Sequence, residues 1–226
     1  MDPEFARQYY ESAAADHWWF RGRQDLVSAH LRQQHVARGH FVDLGAGAES
    51  LLPPSLSVIK LDIVRPATIS GPFVQASAEA LPFGDNSFDG VGLFDVLEHL
   101  KEPDICLTEV SRVVRPGGLV LITVPAYRWL WSPHDELVGH ERRYTVDGLR
   151  SDLVDAGLAV EWVSAFYGFL VLPGVVRSLL SLPSSMAVPR RAVNTALASL
   201  ARRSVGRVLR RPSRWGLSLG AVALVT

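Results

Sequence analysis

His40-Phe41-Val42-Asp43-Leu44-Gly45-Ala46-Gly47 reads as a short buried strand that runs into two glycines, with an acid just before the turn. Glycines directly after a buried strand let the backbone turn tightly and come close to a ligand, while the next helix presents free N–H groups. Downstream, Ser57-Val58-Ile59-Lys60-Leu61-Asp62 is a second strand that also ends in an acid, 19 residues after Asp43. An acid at that place can accept both hydroxyls of a ribose. A dinucleotide-binding turn would carry a third glycine at position 50, which is Ser50, and has no need of an acid two residues before its first glycine. Asp43 suits a loop that faces a cationic amino group better than one that faces a pyrophosphate.

Working outward, Arg21 to Ala37 reads as an amphipathic helix. Pro72 to Gln75 and Asp89 to Phe94 are the third and fourth strands. Pro103, suited to a first helical turn, opens a helix whose Cys106, Val110, Val113 and Val114 share a face, and Arg115-Pro116-Gly117-Gly118 ends it. Leu119 to Val124 is the most apolar and β-branched strand and belongs in mid-sheet. Strands that alternate with helices predict an α/β, doubly wound, mainly parallel sheet that binds ligands beyond the carboxyl ends of its strands.

The chain has 226 residues, 48% of them apolar, which fits a single globular domain and excludes wholesale disorder and fibrous chains. One cysteine supports neither a disulfide framework nor a cysteine metal site, so a cytoplasmic setting is expected. Met1-Asp2-Pro3-Glu4-Phe5 reads as a cloning-site scar, leaving 6–226 as the domain. The net charge of zero hides an asymmetry: residues 1–161 hold 23 acids against 14 bases, whereas 162–226 hold nine arginines and no acid. Arg outnumbers Lys by 21 to 2, a bias that GC-rich codons explain.

Taken together, the motifs resemble those of class I S-adenosylmethionine-dependent methyltransferases of the type 11 group. Phe41 to Gly47 is similar to the first motif of that family, which implies cofactor contacts at Asp43, Gly45, Ala46 and Gly47. Leu61-Asp62-Ile63 resembles its ribose-binding strand end. Gln75 to Phe83, with Ser77 and Ala78, followed by Asp85 to Asp89, resembles its adenine-contacting segment. Phe94-Asp95-Val96-Leu97-Glu98-His99-Leu100 looks like the loop after its fourth strand, and Arg115 to Gly118 like the turn before its fifth. The resemblance implies a Rossmann-like sheet of seven strands with the last antiparallel, a place that Leu217 to Val225 would take. That segment is too short to span a membrane, which needs about 20 apolar residues. The chain departs from the family pattern at Glu49, where a glycine is usual, and at Ser77, where an aspartate is usual.

In-line transfer of an electrophilic methyl asks for alignment and exclusion of water. A hydroxyl acceptor also needs a base, for which histidine is suited near neutral pH. His99, His134 and His140 are the candidates, with Asp135 beside His134. His134-Asp135 and His140 with Arg143-Tyr144 resemble a pattern in a subgroup of these enzymes often found beside glycosyltransferases. A structural hydrogen bond is the competing explanation for each histidine. Asp95, Glu98 and His99, at i, i+3 and i+4, would share a helical face, and some quinone-pathway O-methyltransferases carry a similar set. A divalent metal is thereby conceivable, although a capped helix start explains the same residues, and no metal is expected.

His17-Trp18-Trp19-Phe20-Arg21-Gly22-Arg23 puts three aromatics in a row, so not all can face a core. The resemblance implies a lid over 17–38, with Trp19 against the cofactor and Arg21 or Arg23 near its carboxylate; a surface helix anchored by tryptophans is the alternative. Residues 166–216 form a long insertion before the last strand. Within it Arg190 to Arg211 reads as a helix with Leu197, Leu200, Val205 and Val208 on one side and Arg203, Arg207 and Arg210 on another. Such a face can rest on an anionic membrane, meet a phosphate, or simply be solvated. Nucleic acid is not expected, because no aromatic is interleaved with those arginines. The expected function is O-methylation of a small molecule such as a sugar, glycolipid or secondary metabolite. A catalytically silent cofactor-binding partner and a membrane-surface or phosphate-binding module remain the alternatives.

Overall fold

The computed structural model describes residues 17–179 and 189–226, so the expected scar at 1–5 lies outside the described residues. Chain order is α1 (Trp18–Gln33), β1 (His40–Leu44), β2 (Ser57–Asp62), β3 (Phe73–Gln75), β4 (Phe88–Phe94), α2 (Pro103–Val113), β5 (Val114–Pro125), α3 (Pro133–Val138), α4 (Val146–Asp155), β6 (Leu158–Phe166), α5 (Val171–Leu179), α6 (Arg191–Arg210) and β7 (Ser218–Val225). The strands form one seven-stranded sheet in the order β3-β2-β1-β4-β5-β7-β6. β1 to β5 pair in parallel, and β7 runs antiparallel to both β5 and β6. The Rossmann-like sheet with an antiparallel last strand and a helical insertion before it is therefore what the chain adopts.

Side-chain alternation along the strands feeds two faces. Val120, Ile122 and Val124 of β5 join Val42 and Leu44 of β1 in a cluster with Cys106, Val110, Leu149 and Leu153 from α2 and α4. Leu119 and Leu121 point the other way, with Phe41, to Val27 and Leu31 of α1. The last layer is Trp18 and Leu26 of α1 against Ala201, Val205 and Val208 of α6. A Cβ added to Gly22 would run into the Tyr167 hydroxyl and stand 3.0 Å from the Ala201 Cβ, so small residues on both helices, with Tyr167 beside them, let α1 and α6 cross closely.

Three details depart from the sequence reading. α1 starts at Trp18 because the His17 ring nitrogen accepts from the Trp19 amide at 3.2 Å and caps it, which draws the tryptophans into the first turn. Arg115 to Gly118 lies within β5 as a bulge, where the pairing jumps from Phe88↔Val114 to Gly90↔Leu119. In α6, Leu200 is 41% exposed, because the face turned to α1 runs through Ala201, Val205 and Val208.

The arginine-rich segment is knitted to the acidic part rather than set apart from it. Arg202 pairs with Asp25 at 3.3 Å and Arg214 with Asp147 at 2.6 Å, while Arg203, Arg207 and Arg210 are exposed. Among the described residues no helix is long and apolar enough to cross a membrane.

Two glycines test this packing. A Cβ on Gly90 in β4 would stand 2.6 Å from the Leu119 carbonyl oxygen and against the Phe41 ring, whereas one on Gly206 in α6 meets nothing within 4 Å. In urea titrations Gly90→Ala is expected to destabilise by about 1–3 kcal/mol or more. Gly206→Ala is expected to stabilise by roughly 0.5–1 kcal/mol.

Candidate functional site

The carboxyl ends of β1, β4 and β5 open into a cavity of about 360 Å³ that is closed by residues from the start of α1, from α3, from the start of α5 and from β7. Its acidic wall is the end of β1. Asp43 is 1% exposed; its Oδ2 accepts from the Ser50 hydroxyl, and its Oδ1 is buried without a hydrogen-bond partner among the described residues. Burial pushes this carboxyl up to about 7, against the pull of the Ser50 hydroxyl, the Leu51 backbone amide and the Lys60 charge. The turn beyond it needs glycine. Gly45 has φ +64°, and a Cβ there would stand 2.7 Å from a Val96 methyl.

Asp62 at the end of β2 fixes the same loop. Its Oδ2 accepts from the Gly47 amide at 3.0 Å and its Oδ1 from the Val64 amide at 3.1 Å. The opposite wall comes from α1. Arg23, 3% exposed, pairs with Asp95, donates to the Ser218 hydroxyl at 3.4 Å, and holds its guanidinium 4.5 Å from the centre of the Trp19 ring. Asp95 sits at φ +60°, and Thr123 Oγ1 donates to its Oδ1 at 3.3 Å. A non-glycine residue in that conformation is strained, as is common at ligand sites.

The third wall is imidazole. The Nδ1 of His140 stands 2.8 Å from Asp135 Oδ1, and Arg143 grips both oxygens of that aspartate at 2.7 and 2.9 Å. Ser132 gives Asp135 Oδ2 its amide and hydroxyl, which starts α3 with a capping box. Burial alone would raise the Asp135 pKa, but the hydrogen bonds from His140 and Arg143 outweigh it and hold the carboxyl well below the usual carboxylate range. The ionised Asp135 therefore keeps the proton of His140 on Nδ1 and leaves Nε2 to the cavity. His99 is fixed in a similar way, with its Nδ1 3.3 Å from the Gly139 carbonyl oxygen, which can only accept. Burial, followed by the neighbouring His140, pushes the His99 pKa down to about 4. Glu98, 0% exposed, stands beside the rings with its Oε1 3.9 Å from His140 Nε2, and is pushed up to about 8 by burial.

Of the residues singled out in the sequence, the cavity gathers Trp19, Arg23, Asp43, Gly45, Ala46, Phe94, Asp95, His99, His134 and His140. Asp135 stands behind His140. Gly47, Asp62, Ile63, Ser77 and Ala78 lie outside its walls, because the loop after β1, which lines the cavity with Ala46, Glu49 and Leu51, is the one that Asp62 ties back through Gly47. Glu49 is exposed at the rim. Arg21 is exposed, so of the two arginines in the proposed lid only Arg23 reaches the cavity. Asp95, Glu98 and His99 do not share a helical turn. Asp95 is left-handed and paired with Arg23, and only Leu97–His99 forms a short 3₁₀ turn.

The set that does converge is Glu98, His99 and His140, whose donor atoms all lie within 4.8 Å of one another. Sequence reasoning missed His140 as the third member, since 41 residues separate it from His99. It also passed over Leu130, Pro173, Gly174 and Ser218, cavity residues whose types carry no chemical signal. The Arg143–Asp135 pair left a trace in the charge pattern, two opposite charges flanking His140.

A family model described as a methyltransferase domain matches residues 42–122. The chain is 31% identical over 167 residues to a "probable S-adenosylmethionine-dependent methyltransferase", Rv3030, of Mycobacterium tuberculosis, across 68% of this chain and 60% of that protein. It is 54% identical over 50 residues to the ubiquinone/menaquinone biosynthesis C-methyltransferase UbiE of Hahella chejuensis, across 22% of this chain and 20% of that protein. The chain thus spans less than two thirds of the length of these curated relatives. Among solved structures, the Burkholderia thailandensis 1,6-didemethyltoxoflavin-N1-methyltransferase with bound 1,6-didemethyltoxoflavin and S-adenosylhomocysteine superposes with a TM-score of 0.58 at 16% identity, over 98% of this chain and 85% of that one. That likeness is one of fold.

The burial of the Asp43 carboxyl has a consequence for stability. A carboxyl whose pKa is raised by folding favours the native state fully below its unfolded value, near 4, and that contribution is lost as pH rises through about 7. Asp43→Asn is therefore expected to melt above the parent at pH 8, by about 1–4 kcal/mol in stability. The gap should shrink steadily as pH falls towards 5, as followed by thermal melts across that range.

Proposed function

This chain belongs to the class I S-adenosylmethionine-dependent methyltransferases, and on that premise we propose that it methylates a hydroxyl of a small polar acceptor such as a sugar, a glycolipid or a secondary metabolite. The observation that carries this reading is the buried, partnerless Oδ1 of Asp43 in the cavity wall, directly before a glycine turn. A buried carboxylate oxygen without a partner is costly unless a hydrogen-bond donor or a cation meets it. A free amino-acid ammonium is such a cation, so the residues present fit the donor.

When bound, S-adenosylmethionine supplies a methyl group made electrophilic by its sulfonium sulfur. Asp43 would hold the ammonium, and the turn Gly45 to Gly47 would let the backbone approach it. Asp62 keeps a further lone pair on each oxygen for ribose hydroxyls, and Ile63, Ser77 and Ala78 follow on the side of the base. Trp19 and Arg23 close the amino-acid end from α1, with Phe94 and Asp95 between that end and the acceptor.

The acceptor side is lined by the histidines. Pro125, Leu130, Val138, Leu170 and Leu217 form an apolar surround that excludes water. The acceptor proton passes to this wall, to His134 or to His140, whose ring is aimed by Asp135 and Arg143. Proton acceptance by a positioned side chain contributes about 10²–10⁴-fold.

The test is transfer of labelled methyl from S-adenosylmethionine into a metabolite extract, combined with calorimetry of donor binding. Asp62→Ala is expected to weaken the donor about tenfold or more, roughly 1.4 kcal/mol, in a folded protein. His140→Ala should lower turnover by about 10²-fold or more while donor affinity changes little. Full activity in both His134→Ala and His140→Ala would remove the histidine wall from the chemistry, and absence of labelled product with a tightly bound donor would remove the transfer.

A further inference from the structure

We propose that Glu98, His99 and His140 form a divalent-cation site in the acceptor half of the cavity. The inference deepens the reading of this cavity as the place where an acceptor oxygen is held, and rests on it. Three geometric observations carry it. The donor atoms of the three residues lie within 4.8 Å of one another, with Glu98 Oε1 3.9 Å from His140 Nε2, and all three residues line the cavity. Neither oxygen of Glu98 has a hydrogen-bond partner among the described residues, although the side chain is wholly buried. A carboxylate left in that state implies a missing partner.

The third observation is the orientation of the imidazoles. Each has its Nδ1 committed to an acceptor at its back: His140 to the Asp135 carboxylate at 2.8 Å, and His99 to the Gly139 carbonyl at 3.3 Å. Both acceptors favour the proton on Nδ1, which leaves Nε2 as the lone-pair donor of each ring, and in His140 that nitrogen stands 3.9 Å from Glu98 Oε1. A carboxylate or carbonyl behind a histidine is the arrangement that fixes the tautomer and raises the basicity of metal-bound imidazoles. Arg143 and Ser132 hold Asp135 in turn, so the support extends one further layer. A hydrogen-bonded structural histidine would not need two such rings to converge on an unpartnered glutamate.

Two imidazoles and one carboxylate are the ligand chemistry of zinc, cobalt, manganese or ferrous ions rather than of calcium or magnesium. Donors about 2.0–2.2 Å from a common ion stand roughly 3–3.5 Å from one another, so the side chains would draw in by about an ångström. Three protein ligands leave the remaining positions open to the cavity, where a hydroxyl oxygen of the acceptor can bind and become more acidic. With His140 Nε2 engaged in this way, the acceptor proton falls to His134, which lines the same wall.

The experiment uses the full chain, stripped with EDTA and titrated with Co²⁺ and Zn²⁺. Visible d–d bands are followed for cobalt and calorimetry for both ions, and S-adenosylhomocysteine is titrated separately into the same stripped protein. One equivalent of Co²⁺ is expected, with bands that mark nitrogen and oxygen ligation. Its affinity should fall at least tenfold in Glu98→Gln and in His140→Ala, and should be unchanged in His40→Ala, at the amino end of β1, away from the cavity. His99→Ala gives an independent reading should either variant fail to fold. Absence of saturable uptake at millimolar cation, or uptake that none of the three substitutions weakens, overturns the site. Nucleoside binding without cation uptake sinks this inference and leaves the methyltransferase reading intact. Cation uptake without nucleoside binding supports the metal site and sinks that reading instead.

Discussion

Ionisable groups at the carboxyl ends of parallel strands are removed from water by the same packing that closes the sheet, and this constraint governs the rest of the structure. Asp43 and Glu98 are both almost fully buried, one at the end of β1 and the other after β4, and each keeps at least one oxygen without a partner. Burial raises both pKa values, to about 7 and about 8. Folding tolerates such groups at the expense of stability, and they are common where a ligand completes the set. Asp135, equally buried, shows the alternative: with His140, Arg143 and Ser132 around it, its charge is satisfied from within.

The fold separates these two kinds of acid. Satisfied Asp135 acts as a fixed post that orients an imidazole, and Asp62 does similar work on the glycine loop through Gly47. The unsatisfied pair stands on two walls of one cavity, Asp43 by the glycine turn and Glu98 beside His99 and His140. In the proposed reading, one wall receives a cationic amino acid and the other an acceptor oxygen that loses its proton. α1 brings the two together, because its Arg23 ties Asp95 of the β4 loop to Ser218 of the last strand.

Much of this was legible from residue order. Strands with β-branched and apolar runs, such as Leu119 to Val124, and turns marked by Gly45 and Gly47 announce themselves locally, so sheet class and the acid-tipped strand ends could be read directly. The antiparallel β7 came from family resemblance, since nothing in Leu217 to Val225 states which neighbours it will take. Less legible was whatever depends on long-range approach. The helical face of α6 was misjudged at Leu200, because Gly22 and Ala201 set the crossing and neither advertises it. Asp95 was grouped with Glu98 and His99 by helical spacing, but its left-handed backbone breaks that spacing and Arg23 claims it. His140 joins Glu98 and His99 only through the packing of α3 and the loop that follows it beside the 3₁₀ turn.

The central claim is that the unpartnered Oδ1 of Asp43 accepts from the ammonium of a sulfonium nucleoside, and a crystal structure of the chain with S-adenosylhomocysteine tests it most directly. The account predicts the amino group within hydrogen-bonding distance of Asp43 Oδ1, the ribose beside Asp62, and the sulfur turned towards His99 and His140. Density for the nucleoside elsewhere on the protein, or bound with Asp43 Oδ1 still unpartnered, would contradict it.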